Sequence, residues 1–132
     1  MKPVIIEDSK IPGILSKLSP IGSISAFTLW MLIISDGKIS KITKNHESIH
    51  VYQYNDLFVI GFLFVYYFDY AHGIIKYRKD ISGTTPNGVP YSSLADKAYY
   101  RIRAEQEAYE FEDHDYYSLF RKKWGWLKKY KV

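Results

Sequence analysis

Five consecutive residues, His46-Glu47-Ser48-Ile49-His50, constrain this chain more than any others. They form an H-E-x-x-H pattern. On a helix, His46 and His50 fall one turn apart on the same face. Two imidazoles at that spacing can grip one zinc ion. Glu47 then projects beside the metal, where it can take a proton from a coordinated water. The bland alternative is a surface helix that carries these residues by coincidence. A catalytic zinc takes three protein ligands and leaves one position for water, so a third ligand must come from a separate element packed against this helix.

The segments before the motif prepare for it. Residues 1–22 are punctuated by Pro3, Pro12, Gly13, Pro20 and Gly22 and read as irregular, with Ile5, Ile11, Ile14, Leu15 and Leu18 against the core. Residues 24–34 are rich in β-branched and aromatic side chains and predict a strand. Asp36-Gly37 reads as a two-residue hairpin turn, with residues 38–41 returning as a short second strand. Thr43 is then the expected N-cap of the motif helix.

That helix continues through Gln53, seven positions after His46 and on its face. The Gln53 amide is either a hydrogen-bonding partner for a histidine ligand or simply exposed. Asn55-Asp56 separates it from a second helix running from Asp56 to His72-Gly73 or as far as Lys79. Residues 57–68 are apolar on nearly every side, as expected of a helix at the centre of a bundle. The alternative is a segment that dips into a membrane interface. Bounded by Asp56 and Asp69, the run is shorter than the roughly 20 residues needed to span a bilayer.

Residues 82–90 read as a loop. Ser93 with Asp96 marks an N-cap, opening a helix to about Glu112. Leu94, Ala98, Ile102, Glu105, Ala108 and Tyr109 form a stripe of helical spacing along it. Its alanines permit a close helix approach. Glu105 is the one charge on that stripe, a place where a merely solvated glutamate is unexpected. The chain then ends in one or two helical turns interrupted at Gly125, with Tyr117, Phe120, Trp124, Trp126, Leu127 and Tyr130 on an apolar side.

In this order of motifs the chain resembles the gluzincins, zinc metallopeptidases with H-E-x-x-H on one helix and a glutamate ligand on a later one. CAAX prenyl protease and HtpX-like peptidases and ImmA/IrrE-like peptidases place that glutamate in an E-x-x-A context, which matches Glu105 and Ala108 here. Small metallopeptidase-like proteins of phages and bacteria are similar too. The resemblance covers roughly residues 24–112. It implies zinc held by His46, His50 and Glu105, with Glu47 as general base and acid. Glu107 is the alternative ligand, but it points about 200° away from Glu105 around the helix, so only one of the two can face the metal. Where many relatives carry Asp or Asn after the alanine, this chain has Tyr109, which either hydrogen-bonds a ligand, stabilises the oxyanion, or only packs.

Composition bounds the rest. The absence of cysteine excludes disulfides, thiolate metal sites and a cysteine nucleophile. No basic n-region precedes an apolar run at the N-terminus, so the expected location is cytoplasmic, with peripheral membrane contact as the alternative. No Gly-rich phosphate loop and no Ser/His/Asp arrangement stands out. His114, within Glu112-Asp113-His114-Asp115, reads as part of a solvated junction, and His72 as a helix C-cap. Arg121, Lys122, Lys123, Lys128, Lys129 and Lys131 share the C-terminal tail with aromatic residues. That mixture suits nucleic acid or an anionic membrane surface. The simpler reading is a terminal helix that buries its aromatics and leaves its lysines in water. The expectation is therefore a single α+β domain over residues 1–132, a mainly helical minimal zincin-like fold with a short N-terminal β-hairpin before the H-E-x-x-H helix. It would use Zn2+ to hydrolyse a peptide or protein substrate. The rival is an inactive zinc-binding or interaction module working through its basic aromatic tail.

Overall fold

A computed structural model describes residues 2–19 and 24–132. The fold is α+β and mainly helical, with one small sheet beside a layer of helices. In chain order the elements are β1 (Val4–Ile6), α1 (Ile11–Leu18), β2 (Ala26–Leu29), β3 (Leu32–Ser35), α2 (Lys41–Tyr77), α3 (Leu94–Tyr100), α4 (Arg103–Phe111), α5 (Tyr117–Phe120) and α6 (Gly125–Lys129).

The sheet order is β1-β3-β2, with β1 parallel to β3 and β2 antiparallel to it. Ile33 and Ile34 of the central strand are buried. The N-terminal segment is therefore not irregular: it supplies an edge strand, registered Ile5 to Ile33, and a helix with Pro12 in its first turn. Pro20 and Gly22 lie outside the described residues. The hairpin is present, but its turn is Trp30-Met31, between the paired residues Leu29 and Leu32. Trp30 takes the left-handed conformation that a two-residue loop requires, with φ 55°. Residues 24–34 thus contain two strands instead of one. Asp36-Gly37 instead leads the chain out of the sheet: Asp36 N bonds Ser25 O, and residues 38–41 are not a strand.

Ser40, not Thr43, caps α2; its hydroxyl accepts from Thr43 N. The helix turns sharply at Phe58, whose φ 59° and ψ 169° are not helical, so α2 is two helices in series. The break falls two residues beyond Asp56. The second half is not a central helix. One side packs on α3 and α4, with Phe62, Asp69 and Gly73 buried. Gly73 lets the two helices approach closely, since a Cβ would sit 3.1 Å from both Cα and Cβ of Ala98, tighter than ordinary contact. Its other side faces outward with large apolar residues exposed.

The helix expected over residues 93–112 is broken at Arg101-Ile102, where Ile102 is non-helical (ψ 128°). Ser93 does cap α3 by accepting from Asp96 N. The start of α4 is held from outside: Asp69 Oδ2 accepts from Arg103 N at 3.2 Å and from Arg103 Nε at 2.8 Å. Of the expected stripe, Ala98, Ile102, Glu105 and Ala108 are buried and Leu94 and Tyr109 half-buried; Ala104, off that stripe, is buried as well.

The tail closes the core only in part. Trp126 is 1% exposed and packs with Tyr54, Phe62 and Ile102, but Trp124 is 50% exposed and Phe120 lies in solvent. Trp124 sits left-handed (φ 63°) before α6, and its indole Nε1 donates to the Asp56 carbonyl that the bend in α2 leaves open. Lys122, Lys123, Lys128 and Lys129 are exposed, as expected. Arg121 is interior, donating to Asp56 Oδ2 at 2.8 Å and to Glu107 Oε1 at 2.9 Å.

Candidate metal centre

The first half of α2 turns the motif inward. His46, Glu47 and His50 are all buried, and so is Gln53. Opposite them, α4 presents Glu105, 3% exposed. Its Oε2 lies 3.2 Å from His46 Nε2 and its Oε1 3.4 Å from His50 Nε2. One donor atom from each of His46, His50 and Glu105 lies within 4.8 Å of the others. The three form a buried group that could hold a metal ion. Glu107, two positions on, faces away and is taken up by Arg121.

The partners of these side chains fix their orientation. His46 Nδ1 donates to Glu112 Oε2 at 2.8 Å. His50 Nδ1 donates to Gln53 Oε1 at 2.7 Å, and Gln53 Nε2 donates onward to Ala104 O at 3.0 Å. Gln53 is thus a buried hydrogen-bonding partner rather than an exposed residue. With both Nδ1–H groups committed, both Nε2 atoms are turned toward Glu105. This is the arrangement in which an outer hydrogen bond sets the histidine tautomer for a metal. Tyr66 OH donates to Glu105 Oε1 at 2.6 Å. Tyr109 makes no hydrogen bond to the three groups. Its ring stands edge-on to His46 at 4.5 Å and its hydroxyl lies 3.5 Å from that of Tyr99, so it packs.

Glu47 belongs to a different network. Its Oε2 accepts from Thr28 Oγ1 on β2 at 2.6 Å. Tyr54 OH donates to the Thr28 carbonyl at 3.2 Å, which ties the same strand to α2.

Burial opposes charge on both histidines, yet the adjacent carboxylates outweigh it. Contacts with Glu105 and Glu112 push His46 up to about 10. His50 is raised as well, chiefly by Glu105 against the same burial. Burial likewise opposes charge on Glu105, but His50 and His46 hold it well below its ordinary value. Without metal, then, Glu105 favours the charged form of both imidazoles, and they favour its ionised form. A divalent ion placed among them would displace the imidazole protons.

Two cavities meet at the motif. One of about 510 Å³ is walled largely by apolar residues, among them Leu18, Phe27, Leu63 and Tyr67, and reaches His46, Glu47, His50 and Glu105. A smaller one of about 210 Å³ reaches His46 and Glu47 from the side of Tyr100 and Glu112. The group is thus buried but open to the larger cavity, and His46 also reaches the smaller one.

Thr28 and Tyr66 were not singled out as site residues, and Glu112, read as part of a solvated junction, instead turns inward to His46. Glu112 had a usable signal, since it follows Glu105 by seven positions and so returns to its face. Thr28 and Tyr66 had none, because their contacts depend on how β2 and the second half of α2 fold back on the motif. His114 is exposed beside Asp113, and His72 is exposed on α2 rather than capping its end. No family model matches the chain, and no match to it is found among curated proteins or solved structures.

Proposed function

We propose that the chain is a zinc-dependent metallopeptidase of gluzincin type. The observation that carries this is the convergence of Glu105, from a separate helix, on the Nε2 atoms of both motif histidines, with Glu47 alongside and outside that group. Two histidines and one carboxylate are a donor set suited to a catalytic zinc with an open position. Zinc bound there supplies a Lewis acid and lowers the pKa of a coordinated water.

The chain's own residues do the rest. Glu47 takes the proton and later returns it to the leaving amine. Thr28 holds one Glu47 oxygen and leaves the other for that proton. Gln53 and Glu112 keep the imidazoles in the ligating tautomer, and Tyr66 orients the Glu105 carboxylate. The apolar walls of the larger cavity exclude water around the reacting carbonyl. β2 lies at the sheet edge and lines that cavity, so an extended peptide can run beside it.

A non-enzymatic module acting through the tail draws less support, since Arg121 and Trp126 of that tail are built into the interior. The decisive variant is Glu47→Gln. It should keep the metal content of the wild type and lose peptide hydrolysis by a factor on the order of 10²–10⁴, the contribution of a positioned general base. Loss of metal along with activity would make Glu47 structural and sink this mechanism.

A further inference from the structure

The second half of α2 carries an outward face that globular proteins seldom leave bare. Ile60, Phe64, Tyr67, Phe68 and Ile75 are 84%, 70%, 64%, 57% and 63% exposed. At about 100° per residue they share one side of the helix, together with Ala71. No charged residue lies on that side, because the only acid between residues 60 and 75, Asp69, is buried against Arg103. On α1, Leu18 is also exposed and lines the same cavity as Tyr67, with the exposed Lys17 next to it in sequence. An exposed apolar helix face of this extent marks an interaction surface.

The charges around the patch select its partner. Exposed Arg78 and Lys79 stand at the C-terminal end of α2 and make no ion pair or hydrogen bond among the described residues. At the opposite end, beside the bend, Trp124 is anchored on Asp56 and carries the neighbouring exposed Lys122 and Lys123. Asp80, near the first pair, is turned to Ser82 N at 2.9 Å. Packing two copies through this face would bring basic end against basic end whether the helices ran parallel or antiparallel. An anionic partner meets both ends favourably. By length and composition α2 could cross a membrane. Its packing against α3 and α4, with Asp69 paired on the inner side, instead suits a helix lying along the surface.

We propose that the outward side of α2 over residues 60–75, together with Leu18 of α1, docks on an anionic lipid bilayer. The apolar side chains enter the headgroup–acyl boundary, and the flanking lysines and arginines meet the lipid phosphates or carboxylates. Leu18 and Tyr67 also line the larger cavity, so docking sets the mouth of that cavity at the bilayer surface. The docking itself does not depend on the metal centre.

The test is co-sedimentation of the full chain with mixed phosphatidylcholine–phosphatidylserine vesicles and with pure phosphatidylcholine vesicles. Binding to the mixed vesicles, weakened steeply by salt, is expected. Arg78→Ser with Lys79→Ser should lower the partition coefficient roughly 25-fold, taking about 1 kcal/mol per basic residue near the surface. Phe64→Ser with Phe68→Ser removes two exposed rings and should lower it at least about tenfold. Both double variants should keep the wild-type Tm, and Glu105→Gln should bind vesicles as wild type does. No binding to the mixed vesicles, or equal binding to both kinds, overturns the proposal. So does a wild-type dimer that becomes monomeric in the Phe64/Phe68 variant, which would make the face an interface between copies. Should the phenylalanine variant fail to fold, the Arg78/Lys79 variant and the salt dependence decide alone.

Discussion

Arg121→Met should be among the most damaging single substitutions in the chain, although it lies in the tail and far in sequence from the motif. The Arg121 side chain is 5% exposed, and it joins two carboxylates, Asp56 and Glu107, whose side chains are 4% and 2% exposed. Replacing one member of a buried ionic cluster leaves the others charged and unpaired, at a cost of about 3–5 kcal/mol. For 132 residues, an unfolding entropy of about 2.1 cal/mol/K per residue turns that cost into a fall in Tm of roughly 11–18 °C. The damage should also travel. Glu107 sits close enough to the Gln53 amide for that contact to favour its charged form, and Gln53 holds His50. Burial already pushes Glu107 above its ordinary value, so without Arg121 it will tend to take up a proton. Metal affinity should then drop by about 10–100-fold, as it does when an outer partner of a ligating histidine is disturbed. Thermal melts followed by circular dichroism, with a chelator competition for zinc, read both effects. Adding Asp56→Asn and Glu107→Gln to Arg121→Met should recover much of the lost Tm. A fall below about 4 °C, equivalent to roughly 1 kcal/mol, would refute the reasoning. Equal damage with and without the neutralising pair would show that packing, not charge, holds the tail.

Phe58→Gly should raise Tm, by up to roughly 9 °C. Relief of a strained non-glycine conformation gives about 1–3 kcal/mol, less about 0.5–1 kcal/mol for glycine's flexibility, while Phe58 is 82% exposed and loses little packing; a lower Tm would mean the bend is not strained. The chelated protein should lose stability with rising pH. His46 has its folded pKa raised from 6.5 to about 10, so its contribution is complete below 6.5 and is lost as pH climbs through about 10. Glu105 has the opposite sign: its contribution is present above its ordinary value of 4.5 and is lost on acidification through its lowered folded pKa. Because metal requires neutral imidazoles, the gap in Tm between zinc-loaded and chelated protein should widen from pH 6.5 upward. Paired melts across that range check it, and a constant gap contradicts it.

What could be read from the sequence was what local spacing encodes. The i, i+4 histidines, the Ser93 cap and the glutamate on an alanine stripe each follow from residues a turn or two apart. The helix angle allowed only one of Glu105 and Glu107 to face the metal, and the E-x-x-A resemblance selected Glu105; the burial of Glu107 against Arg121 explains why the second glutamate is there. The misplaced features depend on distant partners. β1 is three residues long and is a strand only because β3 accepts it in parallel register. The Trp30-Met31 turn lacks the glycine or asparagine that usually announces a hairpin, while Asp36-Gly37 has the composition without the role. An apolar run cannot reveal which of its sides will be covered. Residues 57–68 therefore read as a buried helix, although half of that surface faces outward.

The central claim is a metal centre built from α2 and α4, and it is tested most directly by metal analysis of the purified protein combined with anomalous scattering at the zinc edge. One zinc per chain is expected, bonded to His46 Nε2, His50 Nε2 and the Glu105 carboxylate, with binding abolished in His46→Ala and strongly weakened in Glu105→Gln. A protein that takes up no zinc, or whose anomalous peak lies away from these three residues, would contradict the account.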